Sequence, residues 1–268
     1  MIRYLTLAVG FSAMVLPVAT QESFREASEP SALSDGDAAF ARPDVNVDMP
    51  GPGVGNSATF ETFREALAPH GEWLNDPDYG QVWRPTHIQP GWRPYYYGRW
   101  EWTDEGWLWV SDEPFGWASY HYGRWAYGSS GWIWVPGYQW APAWVTWRYS
   151  PHYIGWAPLA PGISVYMTSY PVNYSWWSFV PCTRFVGVPV FRAAFRGGTR
   201  LVFQQTLPAP PRARLFGAAA PAWGGPARPF VEDRIGRPIP PVRLQAVGSP
   251  SALSMEVRPG VVPIYRPE

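Results

Sequence analysis

The chain has no lysine: all 21 of its basic residues are arginine, set against 21 acids. Cys182 is the sole cysteine, which excludes a disulfide within one chain. No apolar run is long enough for a membrane span of about 20 residues. Residues 114–231 carry nine Arg and no acid, whereas residues 1–113 carry 17 acids and 7 Arg. The formal charge of zero therefore hides a chain polarised along its length, whose halves can neutralise each other or recruit charged polymers. Catalytic signatures are missing too. There is no Ser elbow, phosphate loop or dinucleotide fingerprint. His70, His87, His121 and His152 stand singly, without the spacing of a zinc site, so neither metal nor cofactor is expected.

What the chain does have is rings: 18 Trp, 15 Tyr and 13 Phe, beside 32 Pro and 26 Gly. Such aromatic content excludes both collagen and a plain disordered polymer. Residues 1–20 pair Arg3 with an apolar run from Leu5 to Ala19 and read as a secretory signal peptide, cut after Thr20. A periplasmic or extracellular protein without a transmembrane segment is the expectation. Residues 21–57 are acidic and poor in large apolar groups, and read as a disordered linker. Phe60, Phe63 and Leu67 then share one helical face behind Thr59, and Pro69 stops this short helix.

Residues 58–165 form the expected domain, and residues 70–156 alone hold 15 of the Trp. Gly91-Trp92-Arg93-Pro94-Tyr95-Tyr96-Tyr97-Gly98-Arg99-Trp100 aligns on Gly116-Trp117-Ala118-Ser119-Tyr120-His121-Tyr122-Gly123-Arg124-Trp125 at a period of 25. A degenerate copy starts at Gly71-Glu72-Trp73. Each copy reads as a hairpin, with Trp100 facing Trp109 and Trp102 facing Trp107 across a four-residue turn. Trp125, Tyr127, Trp132 and Trp134 repeat the arrangement. The fold class predicted is all-β: an antiparallel meander of three tandem hairpins curled into a barrel or small sandwich. Residues 140–147 and 154–158 supply closing strands. Residues 166–268 are expected to be a Pro/Arg-rich tail without its own core. Its isolated strands would lie at Tyr174–Val180, Arg200–Gln205 and Val261–Tyr265, and Pro208–Pro229 would be extended or disordered.

The run Phe63 to Trp73, the two Tyr-Gly-Arg-Trp blocks, Gly131-Trp132-Ile133-Trp134-Val135-Pro136-Gly137 and Trp140-Ala141-Pro142-Ala143-Trp144 resemble a family of exported, Trp-rich bacterial proteins of unknown function. The resemblance covers residues 60 to 162. It implies export and a β-rich domain, and brings no activity or catalytic residues.

With few Leu and Ile, the domain needs most indoles inside. Strand parity then places Tyr95, Tyr97 and Arg99 on the opposite face, repeated by Tyr120, Tyr122 and Arg124. Phenols and guanidinium forks together suit a glycan or an anionic polymer. The plainer alternative is that these groups cover the sheet, Arg99 pairing with Glu101 or Asp104. The acid pairs Asp76/Asp78, Asp104/Glu105 and Asp112/Glu113 fall in predicted turns, where local backbone bonding outweighs a glycosidase role. Cys182 reads as a buried, inert thiol. The functional expectation is a non-catalytic envelope or surface module that binds a polysaccharide, another anionic polymer or a partner protein, with nucleic acid not expected. A self-associating matrix protein and a glycoside hydrolase are the alternatives.

Overall fold

A computed structural model describes residues 58–163, 173–209, 224–254 and 258–267. The expected signal peptide and acidic linker, and most of Pro208–Pro229, lie outside the described residues. Helix α1 (Phe60–Leu67) forms where its apolar spacing places it, with Thr59 accepting the Thr62 N–H at 3.2 Å and burying Phe63 and Leu67. A short 3₁₀ turn through Pro69 leads into strand β1 (Gly71–Asp76), which pairs with β2 (Gly80–Pro85).

The next two hairpins are β3 (Gly98–Thr103) with β4 (Gly106–Ser111), and β5 (Arg124–Gly128) with β6 (Gly131–Val135). Their registers match the sequence pattern: Trp100 faces Trp109, Trp102 faces Trp107, Trp125 faces Trp134 and Tyr127 faces Trp132. A fourth hairpin, β7 (Val145–Tyr149) with β8 (Tyr153–Pro158), follows in the region of the expected closing strands.

The predicted meander is not formed. β2 pairs with β6, giving the strand order β1-β2-β6-β5, and β3–β4 stands apart as a two-stranded ribbon. The ribbon's edges are occupied by irregular chain: the Trp109 N–H donates to the Pro142 carbonyl at 3.1 Å, and the Val242 N–H to the Trp102 carbonyl at 2.8 Å. With those backbone groups taken, the ribbon needs no neighbouring strand. Among the described residues no sheet closes into a barrel; the second four-stranded sheet is also open, in the order β10-β7-β8-β9, with β9 at Ser178–Pro181 and β10 at Leu207–Pro208.

The residues after 166 join this architecture. β9 extends the β7–β8 hairpin, and Val261–Tyr265 (β12) pairs in parallel with Arg243–Val247 (β11). Arg200–Gln205, expected as a strand, lies almost wholly in helix α4 (Thr199–Gln204), because Val202 is the residue its turn buries against Trp177 and Phe179. Tyr174–Val180 divides into a 3₁₀ turn at Tyr174–Trp176 and the start of β9. Residues 228–235 form another helix, α5 (Arg228–Ile235), that buries Val231.

Indoles fill the core. Trp83, Trp100, Trp109 and Trp134 are fully buried, and Trp100 lies 5.1 Å from Trp109, 4.5 Å from Trp147 and 5.3 Å from Trp156, between ring centroids. Phe185, from beyond residue 166, packs 4.7 Å from Trp107 in the same cluster. Several indoles also tie down loops: their N–H groups donate to the carbonyls of Leu67 (Trp83), Ser119 (Trp125), Tyr122 (Trp134), His121 (Trp144) and Tyr95 (Trp156) at 2.8–3.1 Å. Each such bond satisfies a buried ring donor and a loop acceptor together.

The glycine of the Tyr-Gly-Arg-Trp blocks has a steric cause. Gly98 and Gly123 have φ of +157° and +61°, and a Cβ on either would collide with a cross-strand carbonyl (Val110 or Val135) and with an indole (Trp109 or Trp134). Gly71 lies against Trp83 in the same way. Only a residue without a side chain lets the ring lie flat on the backbone there.

Candidate functional site

The Tyr/Arg face expected from strand parity does not form one surface. β3 starts only at Gly98, and Tyr95 has a left-handed φ of 58°, so parity does not extend back through residues 91–97. Tyr95 and Tyr120 are fully buried and Tyr122 is 2 % exposed. The Tyr95 hydroxyl donates to the Tyr120 carbonyl at 2.9 Å and accepts the Trp144 N–H at 3.0 Å. The Tyr122 hydroxyl donates to the Tyr265 carbonyl at 2.9 Å. Arg124 stacks on the Trp144 ring, its guanidinium carbon 3.2 Å from the centroid. Arg99 pairs with Glu101 at 2.9 Å and reaches Asp112 at 4.0 Å. Of the six candidates, Tyr97 lines a cleft.

That cleft, of about 320 Å³, is built where two turns meet. Its rim comes from the segment after β2: His87, Ile88 and Gln89, all exposed, with His87 in the left-handed region at φ 59°. The Trp92 N–H closes that turn on the Gln89 carbonyl at 3.0 Å. Its floor comes from the end of β4, where the Glu113 N–H donates to Ser111 Oγ at 3.0 Å and the Gly116 N–H donates to the Glu113 carbonyl at 3.0 Å. Phe115, Tyr97 and His70 complete the walls, the His70 and Phe115 rings lying 6.3 Å apart.

Glu113 is the chemical centre. The Trp92 indole N–H donates to Oε1 at 2.6 Å and the Tyr120 hydroxyl donates to Oε2. Burial nevertheless pushes the carboxyl up to about 7, because desolvation of the charged form outweighs the two donors that favour it. The same contact holds the Tyr120 phenol well above its ordinary value, burial first and the Glu113 charge second. Around neutrality the cleft thus offers a carboxyl that can donate or accept, two imidazoles, the Gln89 amide and several ring faces. A strongly shifted acid in a cleft marks a candidate site.

Asp76, Glu105 and Asp112 are engaged elsewhere. Asp76 Oδ1 accepts the Asp78 and Tyr79 N–H groups at 2.9 and 3.0 Å, the local bonding expected of a turn, and Glu105 pairs with Arg266 at 2.9 Å. Among the described residues lining the cleft, Glu113 is the one carboxyl. Cys182 is buried and desolvation pushes its thiol up to about 11. Among the described residues no group of three His, Cys, Asp or Glu could hold a metal ion, and no helix is long and apolar enough to cross a membrane.

A model of one family matches residues 64–163: the family of unknown function (DUF6600). No curated protein and no solved structure matches the chain. The segment matched to DUF6600 contains every residue that lines the cleft, together with all four hairpins. The Tyr-Gly-Arg-Trp blocks that carry the sequence resemblance lie inside it as well.

Sequence reading passed over Glu113 except as half of a weak acid pair. Its partners Trp92 and Tyr120 are 21 and 7 residues away, and nothing in local spacing announces that they converge on one carboxyl. The one available signal was that Trp92 and Tyr120 both belong to the period-25 blocks flanking Glu113.

Proposed function

We propose that the domain is a non-catalytic binding module that takes a glycan in the Glu113 cleft, working outside the cytoplasm as part of the cell envelope. The observation that carries this reading is the Trp92–Glu113–Tyr120 array: an oriented carboxyl flanked by aromatic walls and an exposed amide. Sugars are recognised by such pairings, rings stacking on the apolar face of the sugar while oriented polar groups bond its hydroxyls. Export is supported by the signal-like residues 1–20 alone. The agreement between the period of 25 and the two hairpins that start at Gly98 and Arg124 supports reading them as copies of one unit.

The test is retention of the purified chain on immobilised peptidoglycan, exopolysaccharide and neutral glucans, comparing wild type with Ile88→Ala/Gln89→Ala and with Glu113→Gln. The rim residues are exposed, so the double substitution leaves the core intact. Retention that falls at least about tenfold in both variants, with unchanged circular dichroism, supports the reading. A wild type that no polymer retains ends it. A self-associating matrix protein would instead sediment as an assembly and ignore both substitutions.

A further inference from the structure

A cationic turn packs against one wall of the cleft. Tyr97, which lines the cleft, packs its ring 5.8 Å from that of Phe191, in the short helix α3 (Val190–Ala193). Three exposed guanidinium groups gather around this turn. Arg184 Nη2 donates to the Arg192 carbonyl at 3.1 Å, and Arg196 Nη2 donates to the adjacent Phe191 carbonyl at 3.3 Å. Arg192 lies over the Phe191 ring, 5.3 Å from its centroid. Residues 114–231 contain no acid, and among the described residues none of the three forms an ion pair with a carboxylate. Like charges drawn to one turn repel, and an anion seated among them relieves that repulsion. Guanidinium forks match a carboxylate in shape as well as in charge.

Two polyanions fit a row of arginines, and the rings decide between them. Nucleic-acid strands are held by bases stacked on open aromatic faces. At this turn the Phe191 ring lies under Arg192, as Tyr174 lies under Arg200 at 5.8 Å and Tyr96 under Arg93 at 4.1 Å, which leaves Phe195 as the exposed ring beside Arg196. One open ring beside three guanidinium groups favours a ligand read through charge and hydrogen-bond donors over a strand held by successive stacked bases.

We propose that the ligand is a carboxylated polysaccharide: one sugar seats in the Glu113 cleft and the chain runs past Tyr97, so that acidic groups of the following sugars are gripped by Arg184, Arg192 and Arg196. The inference rests on the reading of the cleft as a glycan site. It specifies the substituent the glycan must carry, and gives the acid-free stretch of the chain a role.

The experiment titrates the full chain with polygalacturonate, with the same polymer methyl-esterified, and with poly-dT, at low salt and at about 0.5 M NaCl. Arg192→Gln leaves the Arg184 and Arg196 bonds to α3 in place and so spares the turn; Arg184→Gln/Arg192→Gln/Arg196→Gln removes the whole cluster. The expected result is that the acid form binds at least about tenfold more tightly than the ester. Salt and the triple substitution should abolish that preference, Arg192→Gln should reduce it, and the ester should bind wild type and variants alike. Equal binding of acid and ester by wild type, or a preference for the acid form that survives in the triple variant, overturns the carboxylate inference and leaves the cleft reading standing. Failure to bind either polygalacturonate form, or stronger binding of poly-dT, also overturns the carboxylate inference, while retention on peptidoglycan, exopolysaccharide or neutral glucans decides the cleft reading separately.

Discussion

The hydroxyl of Tyr95 donates to the backbone carbonyl of Tyr120 at 2.9 Å, with the two rings 4.6 Å apart. These residues occupy the same position in successive copies of the period-25 pattern. The same hydroxyl accepts the Trp144 N–H. Tyr95→Phe leaves that buried N–H without its acceptor, at a cost of about 1–3 kcal/mol. Urea unfolding at neutral pH checks it; a change within about 0.5 kcal/mol would show the bond to be dispensable.

Glycine substitutions should separate by position. Gly123→Ala puts a Cβ on the Val135 carbonyl and the Trp134 ring in a left-handed backbone, and should cost more than about 2 kcal/mol. Gly128→Ala, at the end of β5 in the same hairpin, meets nothing within 4 Å and should stay within about 0.5 kcal/mol. Thermal unfolding of the pair tests the claim, and equal destabilisation would refute it.

The raised carboxyl of Glu113 makes stability depend on pH in a definite direction. Its value in the fold, about 7, lies above the ordinary 4.5, so the folded state binds the proton more tightly. The resulting stabilisation is complete below about 4.5 and is lost as pH rises through about 7, on the order of 2–3 kcal/mol. Glu113→Gln lacks this loss, so its stability relative to wild type should increase steadily across that window. His121 acts oppositely: burial lowers it from 6.5 to about 4, so its contribution is lost on acidification through that range. Denaturation curves of the two proteins between pH 4 and 8 give the difference, and a flat difference would remove Glu113 as a buried proton site.

Tyr265 should behave as a core residue despite its place in a Pro-rich segment. It is 5 % exposed, its ring lies 5.1 Å from that of Trp117, and it packs beside Tyr122. Tyr265→Ala should cost about 3–5 kcal/mol, as for other large buried rings. A loss below about 1 kcal/mol, read from urea unfolding, would place this strand outside the cooperative unit.

Much of the local structure was legible. Alternation specifies cross-strand pairs such as Trp100 with Trp109, although pairing runs on to Thr103 with Gly106 and leaves two turn residues where four were expected, and indoles in a chain short of Leu and Ile have to be inside. Strand order was not legible, because β2 lies beside β6 through contacts between distant parts of the chain, whereas the repeat suggests that neighbours in sequence pair. The tyrosines were misplaced for a related reason. Alternation predicts orientation only within a strand, and at Gly98 the strand ends. The site fared worst: Glu113 takes its character from an indole, a phenol and burial that three separate segments bring together. Phe185 and Tyr265 were hidden by a proline-rich composition that argues against packing, although each has an aromatic pocket waiting in the repeats.

The hydrogen bond from Tyr122 to the Tyr265 carbonyl spans 143 residues. A nascent chain can zip its hairpins early, since each pairs residues made within moments of one another. Until Tyr265 has emerged, Trp117 and Tyr122 have the Phe63 ring against them but lack their C-terminal cover, and that part of the aromatic surface faces the solvent during synthesis. Such an interval invites aggregation and gives holding chaperones a purpose.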